Sequence, residues 1–215
     1  MPALRHEAQR KALAAACRRL AGEGLAPATS GNGSVRVQDE IVITPTGSAL
    51  EAITAQEALV VGLDGRVLAG DGEPTSEMPM HQALYALGDE VGAIVHTHAP
   101  YATALSCVLD EVPVVHYGML AFGGSLRVAP YATFGSEELA IGVRAALEGR
   151  QAALMANHGA VAYAGDVETA THRMLAVEWA CAVYWRAAAI GRPRTLDDDA
   201  LDAVDAELRR RGATL

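Results

Sequence analysis

Cysteine is scarce in this sequence, and its spacing pairs none of it. Cys17, Cys107 and Cys181 are odd in number and far apart, and no Cys-x-x-Cys occurs. Each lies among apolar neighbours, which points to buried, reduced thiols and not to a disulfide framework. An excess of positive charge is also lacking: 17 Lys and Arg stand against 26 Asp and Glu, a formal net charge of −9. The basic residues are scattered, which argues against nucleic acid and anionic membranes as partners. A phosphate pocket built from backbone amides and hydroxyls stays open, because it needs no net positive charge. No apolar run reaches the length of a membrane span. The polar opening Met1-Pro2-Ala3-Leu4-Arg5-His6-Glu7 has no secretory apolar core, so a cytoplasmic location is expected. No internal repeat and no Pro/Gly/Ser-rich linker divides the chain. With 51% apolar residues, residues 1–215 are expected to form a single domain with a full core.

Periodicity and turn residues mark the elements. Residues 5–22 read as an amphipathic helix ended by Gly22 and Gly24. Val35–Val37 and Ile41–Ile43 read as a hairpin, and Leu59–Leu63 with Val67–Ala69 as another across Asp64-Gly65. Thr54-Ala55-Gln56-Glu57 has capping-box spacing and suggests a short helical turn. Ser76 is a natural N-cap for a helix over Glu77–Leu87. A strand ends at His96-Thr97-His98, and a short helix covers Pro100–Cys107. Val112–Tyr117 reads as a strand and Val128-Ala129-Pro130 as a short edge segment. Ser136 opens a helix to Glu148, Ala152–Met155 and Val161–Tyr163 are strands, and Asp166 caps a long helix to Ile190. The tail from Thr195 to Arg211 is helical. Irregular alternation with several hairpins favours a mixed, largely antiparallel sheet with helices packed on it, and not a doubly wound parallel fold.

The run Val91-Gly92-Ala93-Ile94-Val95-His96-Thr97-His98-Ala99-Pro100 carries the strongest chemical signal. In a strand, residues two apart share a face, so His96 and His98 project together, about 7 Å apart at Cα. Two imidazoles so placed can converge on one ion, and a catalytic zinc site takes three protein ligands and keeps one position open. Ala156-Asn157-His158-Gly159-Ala160 offers a third. By itself, His-x-His reads equally as two histidines capping a strand end through backbone hydrogen bonds.

Three polar turns share a second chemistry. Gly31-Asn32, Thr46-Gly47 and Thr75-Ser76 combine small hydroxyls or amides with backbone N–H groups, and Ser76 stands where a helix begins. Gathered in space they would bind phosphate; taken singly, each also reads as an ordinary turn or cap. Glu77 is either a dipole-complementing residue in a first helical turn or, facing a metal, a base for a C–H acidified by a polarised carbonyl. His81 lies one turn further on and either reaches the site or packs. No metal role is expected for His6, His81, His116 or His172.

Six ordered blocks give these residues a common context: Thr29-Ser30-Gly31-Asn32-Gly33-Ser34-Val35-Arg36, Ile43-Thr44-Pro45-Thr46-Gly47, Ser76-Glu77, His96-Thr97-His98, Tyr131-Ala132-Thr133-Phe134-Gly135 and Asn157-His158-Gly159. Together they resemble the class II aldolase family, which includes L-fuculose-1-phosphate aldolases, ribulose-phosphate 4-epimerases and the adducin head domain. The resemblance runs from about Arg5 to Ile190. It implies an α/β fold, a three-layer α/β/α sandwich on a mostly antiparallel sheet. It further implies Zn2+ or another divalent metal held by His96, His98 and His158, with Glu77 as acid/base and as a further contact to the metal in the empty site. Gly31, Asn32, Thr46, Gly47, Thr75 and Ser76 match the family's phosphate turns, and Tyr117 a tyrosine that orients the aldehyde end. A homotetramer with active sites at the subunit boundaries is implied.

The implied reaction is retro-aldol cleavage of a ketose 1-phosphate, such as L-fuculose 1-phosphate, to dihydroxyacetone phosphate and an aldehyde through a metal-stabilised enediolate. The sequence departs from the family in its tail. Leu208-Arg209-Arg210-Arg211-Gly212 lacks the tyrosine that the fuculose-phosphate enzyme sends to a neighbouring subunit, and Arg211 lies nearest that place. Decarboxylation of a 3-oxo-tetronate 4-phosphate and dehydration of a methylthioribulose phosphate are rival uses of the same chemistry. A non-catalytic assembly module of adducin type would have lost the histidines that this chain keeps. Met119-Leu120-Ala121-Phe122 has no acid where an epimerase carries one.

Overall fold

The computed structural model describes residues 4–213, so residues 1–3 of the polar opening lie outside it. Helix α1 (Glu7–Gly22) leads into the β1 (Asn32–Val37) and β2 (Glu40–Ile43) hairpin. Strands β3 (Leu59–Gly62) and β4 (Val67–Ala69) form the next. Helix α2 (Met78–Tyr85), strand β5 (Ala93–Thr97), helix α3 (Pro100–Ser106) and the short β6 (Glu111–Val112) follow. A 3-10 helix over Tyr117–Phe122 precedes β7 (Leu126–Ala129), α4 (Glu137–Ala146), β8 (Ala152–Met155), β9 (Gly159–Ala164), α5 (Val167–Ile190) and α6 (Asp198–Arg211). The strands make one nine-stranded sheet in the order β4-β3-β2-β1-β5-β9-β8-β7-β6. Every neighbouring pair is antiparallel except β7 with β8.

Alternation along the strands divides the core into two layers. Val35, Val42, Val60, Ala93, Val95 and Ala162 point to one face, where Leu13 and Cys17 of α1, Ala102 of α3 and Met174 and Val177 of α5 cover them. Ile41, Ile43, Val61, Ile94, Ala153 and Val161 point to the other, under Met80 and Leu84 of α2 and Leu139 and Val143 of α4. Burying apolar area on both sides of a period-two sheet requires helices on both sides, which gives the expected α/β/α sandwich. No helix among the described residues is long and apolar enough to cross a membrane.

Several local expectations shift for identifiable reasons. The Val112–Tyr117 strand stops at Val112, because Pro113 has no N–H to continue the ladder. Tyr117 therefore sits in the 3-10 helix. The segment around Val128 is not an edge: β7 lies between β8 and β6. Thr54 and Glu57 make the bonds of a capping box, with Glu57 accepting from the Thr54 N–H at 2.8 Å, yet no helix follows. Ser76 does not cap α2, which starts at Met78 with Glu77 in the capping position and no side-chain cap. Cys107 is exposed, whereas Cys17 and Cys181 are buried. Asp166 does cap α5, accepting from the Thr169 N–H at 2.9 Å.

Helix α3 begins two residues after His98, and its start is tied to α5. The Glu178 carboxylate accepts from the Tyr101 and Ala102 N–H groups at 2.9 Å each. Burial pushes this carboxyl above its ordinary pKa, and the two amides work against that rise. Replacing Glu178 by Ala leaves both amides without their acceptor and is expected to destabilise the fold by about 1–3 kcal/mol. The check is a lower urea midpoint at unchanged slope; an unmoved midpoint would show that water serves the amides equally well.

Candidate active site

The site forms where the end of the central strand meets three other segments. Strand β1 runs antiparallel to β5 and places Asn32 opposite His96. It enters that position through Gly31, whose φ is 80° and whose missing Cβ would lie 2.8 Å from the His96 carbonyl oxygen. Only glycine fits both conditions. On the other side, β8 and β9 are joined through Asn157 in the left-handed region, φ 56°, which asparagine tolerates better than most residues. That turn presents His158 to the end of β5. The start of α2 brings Glu77 from the layer above.

These segments gather the three histidines and the carboxylate. The rings of His96, His98 and His158 lie 4.9–5.0 Å apart between centroids, each edge-on to the next. One nitrogen from each lies within 4.8 Å of the others. Glu77 Oε2 is 3.0 Å from His96 Nε2, and Oε1 is 3.4 Å from His158 Nε2. Glu77 is 5% exposed and His96 fully buried. Among the described residues, His6, His81, His116 and His172 do not join this cluster.

The hydrogen bonds show what the cluster is built to hold. His96 Nδ1 is 2.9 Å from the Ala160 carbonyl oxygen, which can only accept, so Nδ1 carries the proton. In a neutral ring Nε2 then offers a lone pair. It then faces a carboxylate oxygen, another acceptor, at 3.0 Å, and Glu77 Oε1 is buried without a hydrogen-bond partner. Two buried acceptors so opposed need a proton or a metal ion between them. Three imidazole nitrogens with a carboxylate beside them suit a zinc-like divalent ion.

Protonation follows the same logic. Burial works to raise the Glu77 pKa, but the charge and hydrogen bond of His96, then His158 and the Asn32 amide, outweigh it and hold the carboxyl well below its usual range. Burial works to lower His96, yet the Glu77 charge and hydrogen bond and the Ala160 carbonyl carry it above its usual value. Burial together with neighbouring His96 and His158 takes His98 down to about 4. His158 is lowered by burial and by His96. His98 and His158 are thus lone-pair donors at neutral pH, while His96 surrenders a proton when a metal replaces it.

A cleft of about 450 Å³ opens beside these groups, lined by Gly31, Asn32, Thr46, Gly47, Thr75 and Ser76 together with Glu77, His98 and His158. The side chains of Thr46 and Ser76 are exposed there; Thr75 is buried, and its hydroxyl accepts from the Glu77 N–H at 3.3 Å. Asn32 is engaged at both ends of its amide, with Glu77 and with His81. Tyr131 and Phe134, 66% and 64% exposed, stand at the mouth. Tyr117 does not line this cleft; it is 47% exposed and stacks on His116. Arg211, in the tail, donates to Glu207 at 2.6 Å. Ser34 and Tyr85, which sequence reasoning did not single out, lie behind Asn32 and His81. Their signal was in the spacing: Asn32 and Ser34 are two apart on a strand, and Glu77, His81 and Tyr85 four apart along a helix.

The chain as a whole is similar to known proteins. The family model described as class II aldolase and adducin N-terminal domain matches residues 11–185. The chain is 36% identical over 198 residues to a 5-methylthioribulose-1-phosphate/5-deoxyribulose-1-phosphate aldolase of Rhodospirillum rubrum, covering 92% of this chain and 89% of the relative. It is 38% identical over 191 residues to the L-fuculose phosphate aldolase of Escherichia coli K12, covering 87% and 88%. A solved structure of an L-fuculose 1-phosphate aldolase superposes with a TM-score of 0.91 at 33% identity, covering 96% of this chain and 98% of that one.

Divalent-metal affinity is expected to rise with pH. Below the elevated pKa of His96 its Nε2 proton must be displaced, so affinity falls by about tenfold per pH unit there and flattens above it. Zn2+ titrations at pH 6 and pH 8 check this, with proton release measured in buffers of different ionisation enthalpy. Equal affinities and no released proton would remove His96 from the ligands.

Proposed function

Since the chain belongs to the class II aldolase and adducin N-terminal domain family, we propose that it is a zinc-dependent aldehyde-lyase. Its reaction is cleavage of a ketose 1-phosphate, such as L-fuculose 1-phosphate, to dihydroxyacetone phosphate and an aldehyde. The observation that carries this reading is the convergence of His96, His98 and His158 on one point, with the Glu77 carboxylate facing them at the edge of a hydroxyl-lined cleft. The relatives' names support a sugar phosphate as the substrate class and divide over which sugar. The whole of residues 1–215 acts as one class II aldolase-like domain in this reading.

His96, His98 and His158 would hold the metal, and Glu77 would face it before substrate arrives. A bound divalent ion supplies a Lewis acid that polarises the substrate's carbonyl and neighbouring hydroxyl. The protein's own groups do the remaining work. Glu77 carries a proton to and from the substrate carbon, which its buried, unpartnered Oε1 suits. Gly31, Asn32, Thr46, Gly47, Thr75 and Ser76 hold the phosphate through hydroxyls and backbone amides, which fixes the reacting carbon against Glu77. Tyr117 lies outside the chain's own cleft. The resemblance gives it the aldehyde end of the substrate, and in a cytoplasmic homotetramer with active sites at the subunit boundaries it would reach that end from across a boundary. Arg211, nearest in the tail sequence to the place of the missing tyrosine, is paired with Glu207, so the aldehyde is the part of the substrate that a screen must find.

Three measurements test this. His96→Ala is expected to lose bound metal and activity together. Glu77→Gln is expected to keep the metal and lose turnover by about 10²-fold or more; unchanged turnover would defeat the role given to Glu77. Ser76→Ala is expected to raise KM for a ketose 1-phosphate by about tenfold, the value of one hydrogen bond to a charged group, with kcat little changed. Turnover is best sought across ketose 1-phosphates and 3-oxo acid phosphates, following triose phosphate against CO2. Release of CO2 without triose phosphate would make the protein a decarboxylase instead.

A further inference from the structure

Behind Glu77 a row of polar side chains continues into the protein. Glu77, His81 and Tyr85 lie on one stripe of α2 and its flank, and Asn32 and Ser34 on one face of β1. The two rows interleave. Asn32 Nδ2 donates to Glu77 Oε2 at 2.8 Å, and His81 Nε2 lies 2.7 Å from Asn32 Oδ1. Ser34 Oγ is 2.7 Å from His81 Nδ1, and the Tyr85 hydroxyl 2.7 Å from Ser34 Oγ. All five residues are buried, with Ser34 and His81 fully so.

The direction of every bond follows from the carboxylate. Glu77 Oε2 can only accept, so Asn32 turns its NH2 group toward it and its oxygen toward His81. That oxygen can only accept, so His81 carries its proton on Nε2. A neutral ring then has its lone pair on Nδ1, which takes the Ser34 hydroxyl hydrogen. The Ser34 oxygen is left to accept from the Tyr85 hydroxyl. Four hydrogen bonds thus point the same way and end on Oε2, each polarising the next. Oε1, on the same carboxylate, is buried without a partner.

We infer that His81 is a positioning residue for proton transfer by Glu77: through Asn32 it keeps Oε2 a permanent acceptor and leaves Oε1 as the oxygen that exchanges the substrate proton. Protonating Oε2 weakens the acceptor on which the whole row ends, and letting that O–H donate to Asn32 would mean flipping Asn32, changing the His81 tautomer and turning both hydroxyls round inside a closed interior. Protonating Oε1 requires none of this. In the exchange a substrate C–H bond breaks, its electron pair stays with the substrate carbon, and an O–H bond forms at Oε1; the return step reverses this. The proton-transfer half of the inference rests on the aldolase reading, whereas the direction of the hydrogen-bond row does not.

Two measurements on the full-length, zinc-loaded protein test it. In ¹⁵N-histidine-labelled wild type, NMR is expected to show His81 protonated on Nε2 alone; protonation on Nδ1 would overturn the inference. Second, solvent deuterium exchange into dihydroxyacetone phosphate reads the proton step without any aldehyde. His81→Leu is expected to slow exchange by about 30-fold or more, while metal content and dihydroxyacetone phosphate affinity stay within about threefold. His81→Gln offers an amide N–H and oxygen in place of the two ring nitrogens and is expected to recover exchange to within about fivefold of wild type. Exchange at the wild-type rate in His81→Leu, or a Gln variant as slow as the Leu variant, would overturn the inference. A wild type that shows no exchange would count against the aldolase reading, and the tautomer would then decide the inference by itself.

Discussion

A carboxylate and three imidazoles crowd together, with Glu77 and His96 buried, and that collection lacks one positive charge. In the bare protein a proton on His96 supplies it, which is why the His96 and Glu77 affinities for protons move in opposite directions. A divalent ion supplies it better, because once it displaces that proton it meets one nitrogen from each of three imidazoles that already lie within 4.8 Å of one another. The Ala160 carbonyl matters here too, since it fixes which nitrogen of His96 is turned toward Glu77.

The sheet makes this possible. A central strand has neighbours on both sides, so β5 can end in a place framed by β1 and by the β8–β9 turn at once. Antiparallel pairing sets Asn32 opposite His96 and Thr97 opposite Ala160. Helix α2 then closes the face above. Ordinary apolar packing under Met80 and Leu84 thereby positions Glu77, a residue with no apolar contribution of its own. Stability and chemistry are coupled through the same few contacts.

Much of this was legible in the amino-acid sequence. The period-two placement of His96 and His98 could be read directly, and the block Asn157-His158-Gly159 pointed by resemblance to His158, which the fold does bring beside them. What could not be read was pairing between segments distant along the chain. That the Asn32 side chain meets Glu77 and His81 depends on β1 lying under α2, and no local pattern states that. The same ignorance left His81 between reaching the site and packing; it does both, one residue removed. The errors at Ser76 and Val112–Tyr117 are of another kind. Glu77 is drawn into the site with non-helical φ −93° and ψ 18°, so the helix starts later, and Pro113 cuts a ladder that its β-branched neighbours favour.

The outermost strands of the sheet are β4, three residues long with a register shift beside it, and β6, two residues long and followed by proline. Each rim therefore exposes very few free amide and carbonyl groups in register. A ribbon nine strands wide would otherwise be a template for unlimited lateral growth. Blunt rims deny a foreign strand any purchase, which leaves the helical and loop surfaces as the faces open to contact and disfavours fibrous growth.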